Sequence, residues 1–261
     1  MLGPMNSSAG LASSGSIALP LSTSADYSVR LAETAEDVRA AQQLRFEIFN
    51  LELDKGLDAS YANGLDQDAF DAVCDHLLVF HASSGELAGT YRIQSGEVAA
   101  AGLGYYSEQE FDFSAFAPLR AGLIELGRGC VHRRHRNISA LGLLWKAIAL
   151  YAQARRARYL IGCSSLATSV PAEGWSVYSR LARTHLSPPE RRTVPMPGWE
   201  CPLAGAGASG LSIPKLMLAY LTLGAEICGP PAWDRQFGTI DFLTLLDLET
   251  LHPAAKRRFF G

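Results

Sequence analysis

Apolar and polar positions follow two different rhythms between Leu123 and Leu166. A short apolar run ends at Val131, and a polar loop of Arg, His and Asn follows it. Apolar residues then recur three or four positions apart, at Leu141, Leu144, Trp145, Ile148 and Tyr151. This spacing predicts an amphipathic helix. A second apolar run, Tyr159 to Cys163, has the length of a strand, so a strand, loop, helix and strand are predicted in succession.

The same patterns predict further elements on both sides of this unit. A side-chain oxygen at Thr34 can accept a hydrogen bond from the first turn of a helix, which predicts an N-cap there. Ser83 to Glu86 is a predicted hairpin turn. Strands are predicted at 27–31, 76–81, 87–93 and 240–246, and helices at 32–50, 171–186 and 213–228.

Length and composition predict a single folded domain over residues 27–252. It follows a disordered tail, 1–26, and precedes a basic and aromatic tail, 253–261. Hydrophobic residues make up 48 % of the 261 positions, which is ample for a packed core. No apolar run is long enough to span a membrane. Residues 1–26 hold no Lys or Arg and lack the charged start of a signal peptide, which predicts a cytoplasmic protein.

Five scattered cysteines, without any C-x-x-C pair, argue against a disulfide framework and a zinc site. We therefore predict no bound metal. The net charge of −3 also argues against a general binder of nucleic acid.

Charge is unevenly distributed along the chain. The stretch 126–172 carries eight Lys or Arg and no acid, whereas 47–75 carries eight acids against one base, Lys55. The first N–H groups of a helix attract anions. The basic loop before the central helix therefore favours a phosphate-bearing or acidic partner, although solvated surface charge would give the same pattern.

Six motifs between Val29 and Leu251 resemble the GNAT superfamily. They are also similar to the bacterial N-acyltransferases that make ornithine lipids from acyl carrier protein thioesters, which are often labelled hemolysin-like. The resemblance implies an α/β (α+β) fold, in which a central mixed sheet is flanked by helices on both faces. The motifs are Leu44-Arg45-Phe46-x-Ile48-Phe49, Phe70 to Val79, Gly89-Thr-Tyr-Arg92-Ile, Glu125-Leu-Gly-Arg128, Gly162-Cys-Ser-Ser-Leu166 and Asp234 to Asp241.

A more distant similarity is to acyl-homoserine-lactone synthases. Their pattern of functional residues falls here on Arg45, Phe49, Asp68, Asp71, Arg92, Glu125 and Arg128. Lys55 stands where that family places a Trp, which argues against lactone formation.

The loop before the central helix bears on the acyl donor. Members that use acetyl-CoA have a Gly-rich loop there, whereas this chain has Arg136-Asn-Ile-Ser139-Ala. Side chains keep a backbone from the close approach that glycine permits. We therefore expect no bound cofactor and, as co-substrate, an acyl-phosphopantetheine on acyl carrier protein rather than on CoA. The predicted donor-binding residues are Cys130, Val131, Arg133, Arg136, Asn137 and Ser139, with the oxyanion donor a backbone N–H near Cys130 or Val131.

Amide formation from an α-amine needs a base, because that amine is largely protonated at neutral pH. Glu125 is the first candidate, since strand alternation puts it opposite Ile124 and Leu126. The alternative is a structural ion pair of Glu125 with an arginine. Asp71 is the second candidate base, and Tyr178 is a candidate acid.

The other acidic and basic motif residues are candidates for substrate binding. Asp68 and Asp75 could hold a side-chain ammonium. Arg45 and Arg92 could hold the substrate carboxylate bidentately. Phe49 and Arg128 complete the predicted substrate site.

The expected function is N-acylation of an amino acid, with ornithine favoured, by a long-chain acyl group with or without a 3-hydroxy substituent. Other amino acid acceptors such as glycine, an acetyl-CoA-dependent N-acetyltransferase, and a non-enzymatic hemolysin-like binding protein are the alternatives. The basic and aromatic tail leaves peripheral contact with the inner membrane face open.

Overall fold

The described part of the chain, residues 22–203 and 211–260 of a computed structural model, contains one mixed sheet with helices on both faces. The strands are β1 (Ser22–Thr23), β2 (Tyr27–Leu31), β3 (Asp75–His81), β4 (Leu87–Ser95), β5 (Leu123–Val131), β6 (Tyr159–Leu166), β7 (Glu226–Ile227), β8 (Ala232–Asp234) and β9 (Thr239–Asp247). The helices are α1 (Ala35–Phe46), α2 (Gly96–Ala101), α3 (Ile138–Ala154), α4 (Pro171–Leu181), α5 (Lys215–Leu223) and α6 (Pro253–Phe260). This confirms the predicted fold class.

At the centre of the sheet, the neighbouring strands β5 and β6 stop pairing before either of them ends. The order is β1-β2-β3-β4-β5-β6-β9-β7, with β8 also on β9, and β5 with β6 is the parallel pair. Their ladder runs from Leu123↔Tyr159 to Glu125↔Ile161, while both strands continue beyond it. At the opening the backbones come close, because a Cβ on Gly162 would lie 2.2 Å from Leu126 O. The unpaired ends leave a gap in the sheet.

Each face of the sheet has its own cover. Helix α3 packs on one face through Leu144 and Ile148, which belong to the same buried cluster as the sheet residue Ile124. Helix α1 and the segment 96–122 cover the other face. In that segment the aromatic side chains of Tyr105 and Phe116 are buried against the sheet, so this connection is part of the core. Both faces of the sheet are thus covered by apolar side chains.

The ends of the chain differ from the prediction. Ser22 and Thr23 pair with Val29 and Ser28, so the predicted tail 1–26 is wrong for these two positions; residues 1–21 lie outside the described part. The predicted tail 253–261 is helical over Pro253–Phe260. The side chains of 258–260, on which the predicted membrane contact largely rests, are outside the described residues. Within 22–203 and 211–260, no helix is both long and apolar enough to cross a membrane.

The predicted N-cap of α1 is confirmed. Thr34 Oγ1 accepts a hydrogen bond from Asp37 N at 3.1 Å, and Asp37 in turn accepts from the Thr34 N–H. This reciprocal cap starts the helix at Ala35 rather than at Ala32. After Phe46 the helix loosens into a π-helical segment, Glu47–Glu52, which carries Phe49 toward the centre of the protein.

Candidate active site

A cavity of about 310 Å³ occupies the gap between β5 and β6. It is lined from both faces of the sheet, because Glu125 and Leu126 alternate along β5 and both contribute to its wall. One end is apolar, with Trp145, Leu160, Leu216, Tyr220 and Leu246, and the other end is charged, with Arg92, Glu110, Glu125, Arg128, Asp234 and Asp241. The cavity therefore passes through the sheet from a polar to an apolar compartment.

Glu125 lies at the point where this passage crosses the sheet. Its side chain is buried and accepts hydrogen bonds from Tyr106 N at 2.6 Å and Ser107 N at 2.8 Å. Burial raises the pKa of Glu125, and these hydrogen bonds oppose the rise. Among the described residues Glu125 forms no ion pair, which disfavours the alternative of a structural ion pair. A carboxylate with a raised pKa that faces a cavity is suited to proton transfer.

Arg45 lies outside the cavity, which corrects its predicted role as a carboxylate clamp. The guanidinium of this α1 residue is completely buried and donates to both oxygens of Asp71, at 3.0 and 2.8 Å. Its Nε lies 2.8 Å from Asp66 Oδ1. Two carboxylates therefore already occupy Arg45, and it has no path to a substrate.

Asp71 is corrected for the same reason. Burial alone would raise its pKa, but the guanidinium groups of Arg45 and Arg92 hold that pKa well below its usual range. A carboxylate with so low a pKa is a weak base. Asp71 also does not line the cavity, so its contacts make it a structural partner of the two arginines.

Asp68 and Asp75 do not form the predicted site for an ammonium group. Asp68 accepts from Arg92 Nη1 at 2.6 Å and from Arg128 Nη2 at 3.0 Å, and so positions two cavity arginines. Asp75 accepts from the Tyr151 hydroxyl at 2.6 Å. Neither carboxylate lines the cavity, because these partners hold both away from it.

Three predicted substrate residues do meet at the cavity: Phe49, Arg92 and Arg128. The Arg128 guanidinium lies 4.2 Å from the centroid of Phe237 and 4.8 Å from that of Tyr106. Arg128 has a φ of 50°, and the β4–β5 register shifts at this position. The bulge therefore aims a cation into the passage at the cost of a strained backbone.

This bulge corrects the prediction that the oxyanion donor is a backbone N–H near Cys130 or Val131. Both residues have rejoined the ladder, opposite Thr90 and Gly89, and neither lines the cavity. Cys130 packs beside Leu44 in a small apolar cluster. The backbone along the cavity is instead that of Leu126 to Gly129.

The predicted donor-binding loop is largely engaged within the protein. Arg136 donates to both oxygens of Glu52, at 2.6 and 2.9 Å, and Arg134 is paired with Glu86. Arg133 is exposed and has no ion-pair partner among the described residues. It remains the cation of this loop most available to an acidic partner.

Asn137 and Ser139 form a helix cap rather than the predicted contacts with the acyl donor. Asn137 Oδ1 accepts from the N–H groups of Ser139 and Ala140, at 3.1 and 3.0 Å. Its amide Nδ2 donates to the Tyr27 hydroxyl at 2.7 Å. The cap satisfies backbone donors that would otherwise be open to a phosphate.

Sequence reasoning assigned no role to three acids at the polar end, Glu110, Asp234 and Asp241, which are 0, 2 and 3 % exposed. Burial, together with the other two carboxylates, raises the pKa of Glu110 well above its usual value. Burial and Asp234 raise the pKa of Asp241 to about 6. Asp241 carried a signal, since a charge between the apolar Ile240 and Phe242 is unusual in a buried strand. Tyr178, the candidate acid, packs against Trp175 outside the cavity.

Two groups of described side chains have atoms close enough to share a metal ion, each within 4.8 Å. Glu86, His132 and His135 lie at the loop before α3, where Arg134 already pairs with Glu86. In the cavity the second group is Glu110, Cys163 and Asp241. Burial raises the pKa of the Cys163 thiol well above its usual value. The absence of a metal stays a prediction.

Comparison with known proteins shows the family of this chain. An acetyltransferase (GNAT) domain matches residues 44–146. An L-ornithine N(alpha)-acyltransferase of Rhodobacter capsulatus is 34 % identical over 248 residues, which span 90 % of this chain and 93 % of the relative. One from Brucella abortus is 32 % identical over 85 % of both chains. The chain belongs to this family of GNAT N-acyltransferases.

A solved structure shares the fold of this acyltransferase. The N-acyl amino acid synthase FeeM from uncultured soil microbes aligns with a TM-score of 0.50 at 13 % identity, over 86 % of this chain and 92 % of its own. At this identity the likeness extends to the fold alone. The resemblance inferred from the motifs is thus confirmed for the GNAT fold and for N-acyl transfer.

Proposed function

We propose that this acyltransferase moves a long-chain fatty acyl group from acyl carrier protein to the α-amino group of L-ornithine. The observation that carries the proposal is the passage through the sheet, with Glu125 between a charged and an apolar compartment. An amino acid suits the charged end and a fatty chain suits the apolar end. The names of the relatives support ornithine as the acceptor.

The chemistry begins with the amine. Glu125 accepts a proton from the α-ammonium, directly or through water, and the free amine attacks the thioester carbonyl. Collapse of the tetrahedral adduct then breaks the C–S bond, and the phosphopantetheine sulfur leaves as a thiol after taking up the proton that the amine nitrogen loses. The raised pKa of Glu125 brings its proton affinity closer to that of the amine. The two backbone N–H groups from Tyr106 and Ser107 hold the carboxylate in place during this transfer.

The negative charge that develops on the thioester oxygen needs a donor. Beyond Glu125 the edge of β5 that faces β6 has no ladder partner, so its backbone N–H groups are available to the substrate. Gly127 is the open point of this edge, since a Cβ there would meet no atom within 4 Å. Backbone donors between Leu126 and Gly129 therefore replace the site first expected at Cys130.

The carboxylate of the amino acid is held by Arg128 and Arg92. Both line the cavity, and Asp68 fixes both guanidinium groups from behind. Lys55 also lines this end and adds a third positive charge. This arrangement orients the α-amine toward Glu125.

The donor is tested by offering the purified protein L-ornithine with one of three thioesters: a long-chain acyl group on acyl carrier protein, the same group on CoA, or acetyl-CoA. Mass spectrometry of the products is expected to show N-acylornithine, formed fastest from the carrier protein thioester. Preferential use of acetyl-CoA would identify an N-acetyltransferase instead. Such a carrier-protein donor would place the reaction in the cytoplasm.

Arg133 supplies a separate test of the carrier protein contact. Carrier proteins are acidic, so Arg133→Glu is expected to raise KM for the acyl carrier protein about 10-fold at low salt and much less at high salt. The matched control is Arg156→Glu, which reverses an exposed charge just after the opposite end of α3. Equal effects of the two substitutions would contradict a docking role for Arg133. KM for ornithine serves as the internal reference.

A further inference from the structure

The charged end of the cavity holds more carboxylates than the proposed chemistry uses. Glu110, Asp234 and Asp241 come from three separate segments of the chain and are all buried. Among the described residues none of the three forms an ion pair. Uncompensated charge of this kind is costly in a protein interior. Such a cluster persists when it has a function or a missing partner.

The hydrogen bonds show where the partner is missing. Asp234 Oδ1 is satisfied by the N–H groups of Gln236 and Phe237, both at 2.8 Å. Glu110 accepts a hydrogen bond from the Cys163 thiol at 3.5 Å, through Oε2, and its carboxyl group is close enough to that of Asp241 for the two to share a proton. Glu110 Oε1 and Asp241 Oδ1 are buried and have no hydrogen-bond donor in the described part of the chain. The two carboxylates are neighbours, since one oxygen of each lies within 4.8 Å of one oxygen of the other.

A further acceptor in the cavity is also unsatisfied. Gln94 Oε1 has no donor among the described residues. Gln94 is 2 % exposed, and its backbone lies opposite Glu125 in the β4–β5 ladder. Unlike the acids it carries no charge, so charge repulsion cannot explain its lack of a donor. Three buried oxygens of this wall, from Glu110, Asp241 and Gln94, thus lack a donor among the described residues. A ligand that satisfies it must carry several N–H groups and a positive charge.

The wall with these three oxygens lies a short distance from Glu125. Ser107 N donates to Glu125 Oε1 at 2.8 Å, while Ser107 Oγ lies 3.3 Å from Cys163 Sγ. That sulfur is the one 3.5 Å from Glu110 Oε2. Ser107 and Cys163 thus lie between the carboxylates of Glu125 and Glu110. This separation suits two amines joined by a short aliphatic chain.

We infer that Glu110 and Asp241 bind the side-chain ammonium of a diamino acid whose α-amine lies at Glu125. The inference rests on the proposed function and names the residues that select its amino acid. An ammonium brings three N–H donors and a charge to oxygens that have neither. A neutral side chain would leave them unpartnered, and the site therefore rejects it. These two acids take the place of Asp68 and Asp75, which other groups of the protein occupy.

The test compares two amino acids that differ only in this amine. L-Norvaline has the carbon chain of L-ornithine without the side-chain amine. Wild type is expected to favour ornithine in kcat/KM by about 10³-fold or more. Glu110→Gln and Asp241→Asn are each expected to reduce this preference at least about 10-fold, through a higher KM for ornithine and with norvaline unchanged or improved. Both replacements keep the side-chain shape, so the fold is expected to persist.

The control is Glu226→Gln on β7. Glu226 is another partly buried carboxyl whose pKa burial raises, but it does not line the cavity. Glu226→Gln is expected to leave the preference for ornithine unchanged. A second readout is the ornithine-induced rise in Tm, which the two cavity variants should lose and the control should keep.

Three outcomes separate the inference from the proposed function. If both cavity variants keep the wild-type preference, the inference is overturned while ornithine acylation stands. If metal analysis finds a bound ion that Glu110→Gln loses, the cluster is a metal site and the inference is overturned as well. If wild type acylates no ornithine in the same assay, the proposed function itself fails.

Discussion

Glu125→Gln is expected to lower kcat for acyl transfer to ornithine by about 10² to 10⁴, the range that general base catalysis contributes. The amide keeps the size of the side chain but cannot take a proton from the α-ammonium. KM for the acyl carrier protein should change little, because Glu125 lies at the crossing of the sheet rather than at the protein surface.

A pH profile separates chemistry from structure in this variant. Without the base, the reaction depends on amine that is already neutral in solution, so the variant should recover activity as pH rises toward the amine pKa. The wild type should lose activity on the acid side, as Glu125 becomes protonated at its raised pKa. A purely structural defect would lower activity equally at every pH.

The variant also needs a check on its fold. One of the two N–H groups, from Tyr106 or Ser107, loses its acceptor in Glu125→Gln, at a cost of about 1 to 3 kcal/mol. Glu125→Asp is the companion variant, since it keeps the charge but withdraws it from the cavity. Unchanged kcat in folded Glu125→Gln would remove this residue from the mechanism.

Arg45→Met is expected to lower the free energy of unfolding by about 3 to 5 kcal/mol, because it leaves Asp66 and Asp71 buried without their shared cation. The Arg45 side chain is 1 % exposed, so water cannot replace it. Urea unfolding followed by tryptophan fluorescence measures the loss.

Arg136→Met is the matched control for this effect. Arg136 also grips a carboxylate with two nitrogens, but its side chain is 44 % exposed and that of Glu52 is 30 % exposed. Water screens such a pair, so the expected loss is about 0 to 1 kcal/mol. Equal losses in the two variants would show that burial does not decide the value of the Arg45 network.

The pH dependence of the network has a definite sign. Arg45 and Arg92 hold the pKa of Asp71 below its ordinary value. The contribution of Asp71 to the free energy of unfolding is therefore complete above the ordinary carboxyl pKa of about 4 and is lost as the pH falls below that value. Arg45→Met should accordingly flatten the decline in stability of the native protein at acid pH.

Periodicity predicted the elements of this protein well, because it depends on near neighbours in the chain. The apolar spacing from Leu141 to Tyr151 predicted α3, and the alternation around Glu125 predicted which face of β5 it occupies. Thr34 marked the start of α1 through a cap formed with Asp37. Each of these features is set by contacts within a few residues.

The roles of the charged residues were harder to predict. Arg45, Asp68, Asp71 and Asp75 belong to motifs that pointed to substrate, yet their partners in the folded protein are Asp66, Arg92, Arg128 and Tyr151. A charge in a sequence shows that a partner is needed but not which partner is nearest. Glu110 is the opposite case, a cavity residue that received no predicted role. Its aromatic neighbours in the sequence gave no sign that it lies in a cavity.

By itself the amino-acid sequence determined the six longer strands, the central helix, the fold class and the family, because local hydrophobic spacing and short motifs carry that information. It did not predict the short strands β1, β7 and β8, and β7 lies within the predicted helix 213–228, which ends at Leu223. Only the tertiary structure decided which carboxylates meet substrate. That outcome depends on where β5 and β6 stop pairing and on the bulge at Arg128, two features that bring residues distant in the chain into one cavity. Burial then sets the proton affinity of Glu125, Glu110 and Asp241, and burial is a property of the packed protein.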